Sequence, residues 1–298
     1  MTPSLFSRTH PYYLVAPDYT ATSAGVRVMH TLTHMLNSLG AEAYVTGCRV
    51  VSTALRTPLL TQDLANYHRA AGLNPIAVYP EVVSGNPLRA KTIVRYLLNR
   101  PGHLGGDDHY PASDLLYTYD PYFLPEGWVA KVLTLPVSDP DIMHPPTDPA
   151  APREHFGFYA RKYRHFGHPI DPAHASGVDL SHPERSPVAI ADLLRTLTHL
   201  YCYEPSNITI DAILCGCPVV YILSSYMSTR PAKPFFGHYG VCETLLKKEP
   251  TERELSRARG SLIYCPYQYQ RMIAAAWKAV NDFISYTQEY AQIPNTTN

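Results

Sequence analysis

The sequence lacks both a long apolar run and an excess of charge of either sign. Its most apolar stretches are short segments such as Val219 to Leu223, whereas roughly 18 to 20 residues are needed to span a bilayer. The 25 Lys and Arg residues balance the 25 Asp and Glu residues, and nucleic-acid-binding domains usually carry a basic excess that displaces counterions. We therefore expect neither a membrane-spanning segment nor a nucleic-acid partner.

Cysteine and glycine are too sparse for several familiar kinds of site. The six cysteines lie at irregular spacing, which fits neither a disulfide framework for a chain of this size nor a paired zinc site. The segment TATSAG contains one glycine, Gly25, where the dinucleotide-binding fingerprint requires three. An Asp-x-Asp pair at the end of a predicted strand is also missing, since Asp139 and Asp141 lie in a proline-rich segment. These absences argue against structural zinc and against a nicotinamide or flavin site.

The N-terminal residues lack the basic region and continuous apolar core of a secretory signal, so we expect a cytoplasmic protein. The 298 residues, of which 45% are apolar, fit two globular domains of roughly 150 residues each. Many of the 28 prolines fall between residues 136 and 152, which predicts a stiff, non-helical connection. We assign residues 1–140 to an N-terminal domain, 141–268 to a second domain and 269–298 to a C-terminal helix.

The first half of the chain alternates between strand and helix patterns. An apolar run at 12–16, a helical periodicity that begins near Gly25 and stops at Gly40, and a second run at 43–46 predict a strand–helix–strand unit. The remaining predictions are a helix over 61–71, a strand over 76–79, a helix over 90–98, and strands over 115–119 and 131–135. Loops after parallel strands bind ligands in such sheets, which makes Gly25, Glu81 and Asn86 candidates; a plain structural turn remains the alternative.

The second half continues the alternation. We predict a strand over 156–164, a helix from Ser186 to about His199, a strand over 200–203, a helix over 208–214, a strand over 219–222 and a long final helix over 269–290. Arg161, Lys162 and Arg164 lie at the end of the first of these strands. Cations placed there are able to neutralise a diphosphate, although a solvated basic strand end is the alternative.

The stretch LYCYEPSNITIDAILCGCPVVYI resembles the nucleotide-sugar-binding segment of GT-B glycosyltransferases, in particular the retaining family-four enzymes. In that family an acidic residue and a Ser/Thr-containing turn precede a helix with a second acidic residue, then Gly-Cys-Pro and a valine-rich strand. The matching residues are Tyr203, Glu204, Ser206, Asp211, Ala212, Cys215, Gly216, Cys217, Pro218, Val219 and Val220. Residues 16–45 resemble the first strand, glycine loop and long helix of the same family, and residues 79–102 and 133–139 resemble bacterial polysaccharide and O-antigen transferases, including rhamnosyltransferase-like members.

This resemblance implies an α/β fold of the GT-B type, with two Rossmann-like doubly wound domains facing across a cleft. It also implies that the C-terminal helix crosses back to the first domain, with a simple capping helix as the alternative. It implies that the second domain binds a nucleotide-diphosphate sugar and that the first binds a saccharide or lipid-linked acceptor. The expected reaction is sugar transfer with retention, in polysaccharide or glycan synthesis, with no metal and no cofactor apart from the donor. Peripheral association with a membrane stays open.

The resemblance also assigns roles to residues. The expected catalytic residues are Arg161, Lys162 and Glu204, with the two cations stabilising the departing diphosphate in place of a metal. The expected donor-binding residues are Gly25, Tyr203, Ser206, Asn207, Ile208, Thr209 and Asp211. Residues 206–209 are expected to offer free amides to the pyrophosphate, and the Asp211 carboxylate to bind the ribose. Glu81 and Asn86 are expected on the acceptor side.

Two other functions remain open at this stage. A nucleotide-sugar epimerase would share the two-domain architecture and the nucleotide site, but would need no acceptor. A non-catalytic GT-B module would bind a partner or a glycan through a decayed site.

Overall fold

The computed structural model describes residues 9–182, 184–231 and 237–292. The chain forms two compact units: one contains the chain up to Pro136 together with the chain from Ile273 on, and the other is Val137–Met272. Each unit is built around one parallel β-sheet. In the described part of the chain, no helix is both long and apolar enough to cross a membrane.

The first unit contains a six-stranded sheet with strand order β2-β1-β3-β4-β5-β6. Its strands are β1 (Tyr12–Val15), β2 (Ala43–Thr46), β3 (Ile76–Pro80), β4 (Thr92–Leu97), β5 (Leu115–Thr118) and β6 (Lys131–Val132). Its helices are α1 (Ala24–Ser38) and α2 (Gln62–Ala70). Along α1, the buried residues Val28, Leu32, Met35 and Leu36 recur at helical spacing. The apolar residues whose periodicity predicts this helix therefore form its buried face.

The helix predicted over 90–98 is wrong, because this segment contains β4 in the middle of the first sheet. β4 pairs with β3 on one side and β5 on the other, and most of its residues are buried. A short apolar run that is buried on both faces has no strict alternation, so periodicity alone does not separate it from a buried helix. The β-branched sequence Thr92, Ile93, Val94 is the local signal for a strand.

The second unit contains a five-stranded sheet with strand order β11-β10-β9-β7-β8. Its strands are β7 (His155–Tyr159), β8 (Val178–Asp179), β9 (Leu197–Cys202), β10 (Val219–Leu223) and β11 (Val241–Leu245). Its helices are α3 (Arg161–His165), α4 (Pro187–Thr196), α5 (Ile208–Leu214) and α6 (Glu252–Ser261), and α7 (Cys265–Gln292) begins in this unit. Counted along the chain, these strands lie in the order second, first, third, fourth, fifth, which is a doubly wound arrangement. The first five strands of the first sheet have the same order, so the predicted α/β class with two doubly wound sheets is confirmed.

Two predicted boundaries in the second unit are wrong. The strand predicted over 156–164 ends at Tyr159, and the three cations lie on or next to the short helix α3 instead. The helix that begins after Ser186 ends at Thr196, because Leu197 already pairs with His155 of β7. Tertiary pairing thus overrides the helical periodicity at this point.

Three elements of the second unit lie where the sequence analysis predicts none, namely β8, β11 and α6. The start of α6 does carry a local signal. Thr251 accepts a hydrogen bond from the Glu254 amide, and the Glu254 carboxylate accepts one from the Thr251 amide. This reciprocal pair is a capping box, which the pattern Thr-x-x-Glu predicts.

Candidate functional site

The candidate site lies at the carboxyl ends of β7 and β9 in the second unit. These two strands are neighbours in the sheet although β8 separates them in the chain. In doubly wound sheets, ligands bind outside the carboxyl ends of the strands where the strand order reverses. The residues that follow the two strands here include Arg161, Lys162 and Glu204. The structure therefore brings together the three side chains that the sequence singled out as catalytic.

The Glu204 carboxylate is completely buried. Its Oε2 accepts a hydrogen bond from the backbone amide of Tyr163 in α3 at 2.7 Å, and the Lys162 ammonium lies 3.9 Å from its Oε1. Oε1 itself has no hydrogen-bond partner in the described part of the chain. Burial raises the pKa of Glu204 above its usual range, and the nearby Lys162 opposes this rise. A carboxyl with such a perturbed pKa at a strand end is typical of functional sites.

The three neighbouring cations have different environments. Lys162 Nζ donates to the Pro205 carbonyl at 2.9 Å, so this side chain holds the loop that follows β9. Arg164 Nη2 donates to Asp179 Oδ2 at 2.7 Å. The Arg161 side chain is exposed, and in the described residues it makes no hydrogen bond or ion pair. Arg161 is therefore the cation best placed to meet an anion from solution.

The expectation of free amides at residues 206–209 is wrong for Ile208, whose amide donates to the Ser206 hydroxyl at 3.5 Å, and for Thr209. The Thr209 amide donates to the Ser206 carbonyl at 3.3 Å, and the Ile210 amide donates to the Asn207 carbonyl at 2.9 Å. The Thr209 hydroxyl also donates to the Ser206 carbonyl, at 2.8 Å. Because α5 contains only seven residues and starts with tight turns, the preceding carbonyls use its first amides. Ile208 and Thr209 are moreover buried.

Asp211 and Asn207 form a buried hydrogen-bond network with Ser138, which lies in the proline-rich segment 136–152. Asp211 Oδ1 accepts hydrogen bonds from the Ser138 hydroxyl at 2.5 Å and from Asn207 Nδ2 at 3.2 Å. The Tyr269 hydroxyl donates to the Ser138 carbonyl and accepts from the Ser138 amide, both at 2.8 Å. Asp211 thus holds Ser138 in place, and its role as a ribose ligand stays a prediction.

Tyr203 lies inside the unit and not at its surface. Its ring is fully buried, and its hydroxyl accepts from the Asp171 amide at 3.0 Å and bonds to His174 Nδ1 at 2.5 Å. Burial raises the pKa of Tyr203. These contacts fit a packing role better than direct contact with a donor, and the donor-binding prediction for this residue is untested.

In the first unit, Gly25 lies in the first turn of α1. A Cβ added at this glycine would meet only Leu98 Cδ1, at an ordinary 3.7 Å, so the fold does not require glycine here. Glu81 is buried, and its Oε2 accepts from the Leu98 amide at 2.9 Å. Asn86 accepts from the Ala90 amide at 3.0 Å and donates to the Ala90 carbonyl at 2.9 Å. Glu81 thus links its loop to the residue that follows β4, and Asn86 stabilises its own loop; acceptor contact by either remains a prediction.

Arg95 is a residue that the sequence predictions miss. It lies buried in β4, and its Nε donates to Asp114 Oδ2 at 2.7 Å. Its two terminal nitrogens donate to the carbonyls of Val83 at 3.1 Å and Gly85 at 2.7 Å. Arg95 therefore fixes the loop that contains Glu81. Since the local pattern predicts a helix, it gives no reason to expect a buried arginine.

Within residues 9–182, 184–231 and 237–292, no group of three or more His, Cys, Asp or Glu side chains is placed to hold a metal ion. All six cysteines are free thiols, and five of them are buried. Burial raises the pKa of Cys215 and of Cys217 to about 12, so both act as packing groups around Gly216.

No family model matches this sequence, and no curated protein matches it either. Similar solved structures include the glycosyltransferase SnogD from Streptomyces nogalater, with 12% identity over 93% of this chain and 99% of that chain and a TM-score of 0.46. Another is the glycosyltransferase VinC in complex with DTDP, with 12% identity, 94% and 99% coverage and a TM-score of 0.44. CalG4, the calicheamicin glycosyltransferase, has 13% identity, 96% and 99% coverage and a TM-score of 0.39. Superpositions this loose do not identify an activity.

Proposed function

We propose that the protein is a glycosyltransferase of the GT-B type that uses a nucleotide-diphosphate sugar as donor. The observation that carries this proposal is the buried Glu204 carboxylate at the β7/β9 switch point, held by α3 and Lys162, with Arg161 exposed beside it. Burying a carboxylate costs free energy, and buried titratable groups of this kind are typical of functional sites. The stretch that resembles family-four transferases, residues 203–220, forms the loop, helix and strand next to this carboxylate.

In the proposed reaction, the bond between the anomeric carbon and the diphosphate oxygen breaks, and the acceptor hydroxyl oxygen forms the new bond. The acceptor proton passes to the departing diphosphate, so the transfer proceeds with retention and without a protein base. Arg161 binds the diphosphate as its negative charge develops, which needs no metal. Lys162 and Glu204 act as positioning residues, because they fix α3 and the loop after β9.

The acceptor in this proposal is a saccharide or a lipid-linked saccharide, as in polysaccharide synthesis. Support comes from the resemblance of residues 79–102 to bacterial polysaccharide transferases. In the structure this segment contains a loop followed by β4, and Arg95 donates hydrogen bonds to two backbone carbonyls of that loop. A fixed loop beyond the carboxyl end of a strand is a suitable place for substrate recognition.

The test is incubation with a panel of nucleotide-diphosphate sugars, with nucleoside diphosphate release as the readout. We expect release by the wild type and a roughly 10²- to 10³-fold slower turnover in Arg161→Ala, the usual effect of removing a preorganised charge partner. The matched control is Arg253→Ala, at an arginine on α6 that is also exposed, which should leave turnover unchanged. Equal turnover in both variants would remove Arg161 from the mechanism.

A second candidate function is a non-catalytic nucleotide- or glycan-binding module. It is favoured by the internal hydrogen bonds of the predicted donor groups, since the Thr209 amide and the Asp211 carboxylate are both engaged. Calorimetric titration of nucleoside diphosphates separates the two functions. Binding without turnover would support the module, whereas the absence of both binding and turnover would contradict both candidates.

A further inference from the structure

The corner between α6 and α7 in the second unit exposes large apolar side chains. The exposed fractions are 78% for Ile263, 56% for Tyr264 and 66% for Tyr267. Tyr239 is 39% exposed, and its ring lies 5.2 Å from that of Tyr264. We call these four residues the aromatic patch. Ile263, Tyr264 and Tyr267 are the three most exposed large apolar side chains in the described part of this unit, and a cluster of exposed apolar side chains marks an interaction surface.

Cations flank the aromatic patch on both sides. Arg259 lies in the last turn of α6, four positions before Ile263, and Arg271 follows Tyr267 by four positions on α7, where residues at that spacing share a helix face. Both arginines are exposed, and the Arg271 guanidinium lies 5.9 Å from the centre of the Tyr267 ring. The sequence contains no Asp or Glu from residue 255 to residue 281. The patch is therefore apolar at its centre and positive at its rim.

We propose that the aromatic patch docks on the surface of an anionic lipid bilayer. Tyrosine rings are suited to the boundary between headgroups and acyl chains, because one end is apolar and the other forms hydrogen bonds. Ile263 inserts its side chain beyond that level, and the two arginines extend to the lipid phosphates while their stems cover apolar surface. Shallow burial of an apolar face combined with attraction to anionic lipid is the usual basis of interfacial binding.

Two other occupants fit the patch less well. A nucleic acid would stack on the tyrosines, but it gains nothing from Ile263, the most exposed of the four. A second copy of the chain in a symmetric dimer would bring Arg259 and Arg271 of both copies to one interface, where residues 255–281 supply no acid to pair with them.

The experiment is co-sedimentation of the full chain with vesicles of phosphatidylcholine alone or of phosphatidylcholine with phosphatidylserine. The wild type is expected to bind the anionic vesicles and to bind less at high salt. Arg259→Glu/Arg271→Glu is expected to reduce partitioning at least about 25-fold, since each cation near such a surface contributes about fivefold. Ile263→Ser/Tyr267→Ser keeps every charge and is expected to reduce binding to a similar degree.

The matched control is Lys91→Glu/Lys278→Glu, which makes the same charge change at two exposed lysines outside the patch. It should bind nearly as well as the wild type. Failure of the wild type to bind, or equal binding to both kinds of vesicle, would overturn the proposal. So would a loss with the charge variant alone, which would indicate a general polyanion site, and a heparin column tests this directly. A dimer in gel filtration that the Ile263→Ser/Tyr267→Ser variant converts to a monomer would show a self-interface instead. All variants alter exposed side chains, and circular dichroism confirms their folding.

Discussion

Replacement of Lys162 by methionine is the sharpest probe of the Glu204 site. Methionine keeps the apolar stem and removes the ammonium, which lies 3.9 Å from Glu204 Oε1 and 2.9 Å from the Pro205 carbonyl oxygen. At 3.9 Å the attraction between the two charges is about 4 kcal/mol with an effective dielectric constant of about 20. Removing one partner of a buried pair typically costs about 3–5 kcal/mol. Because the Lys162 side chain is 26% exposed, we expect a loss at or just below the lower end of that range, about 2–3 kcal/mol at neutral pH.

Hydrogen exchange of the slowest amides in β9 measures this loss, since β9 lies beside Glu204 and in the centre of its sheet. A loss of about 2–3 kcal/mol corresponds to exchange that is roughly 30- to 150-fold faster. The control is Arg161→Met, an exposed neighbour in the same helix, for which we expect a change within about 0.5 kcal/mol.

Two further measurements show whether the cause is the buried charge. In the Lys162→Met variant the pKa of Glu204 rises further, because the charge that lowers it is gone. Protonation then removes the unpaired negative charge of the carboxylate. The loss of stability relative to the wild type should therefore become smaller between pH 7 and about pH 5. It should also shrink in the Glu204→Gln background, where no charge remains to be paired. A deficit that is absent at neutral pH, or one that is the same at both pH values and in both backgrounds, would refute this reasoning.

Gly106→Ala should destabilise the first unit by at least about 3 kcal/mol, because the new Cβ would lie 2.0 Å from the Glu81 carbonyl oxygen. Gly105→Ala, also at positive φ but with open space around it, should cost only about 1–2 kcal/mol; equal losses in thermal melting would contradict the close approach. Asp211→Asn should weaken binding of nucleoside diphosphates about tenfold to a hundredfold if this carboxylate binds the ribose, whereas Ser138→Ala, which removes the same internal hydrogen bond, should not; calorimetry that finds both variants alike would assign Asp211 a structural role only. For Glu204 the folded pKa is raised, so the wild type loses stability as the pH rises from the ordinary glutamate value through the raised one. Glu204→Gln should lack this slope, and parallel melting-temperature curves between about pH 4.5 and pH 7.5 would count against it.

Local patterns in the sequence predict a large part of this architecture. Alternating apolar runs and helical periodicities identify most of the strands and helices, including α5 and β10 on both sides of the Cys-Gly-Cys-Pro segment. Ser186 does cap α4, accepting a hydrogen bond from the Ala189 amide. Such features depend on residues within about one helical turn of each other, so the sequence alone contains the necessary information.

The partners of the candidate site residues depend on contacts that are distant in sequence. Glu204 meets the Tyr163 amide across 41 positions, and Ser138 meets Asp211 across 73 positions. The sequence alone determined most of the strand–helix alternation, and it placed Arg161 and Lys162 in the last part of one predicted strand and Glu204 directly after another, because composition and local spacing specify these features. Only the tertiary structure decided that Glu204 is buried against α3 and that the Asp211 carboxylate binds the Ser138 hydroxyl. Burial and the choice of hydrogen-bond partner are set by which strands become neighbours in the sheet, and the pairing of β7 with β9 is not encoded in any local window.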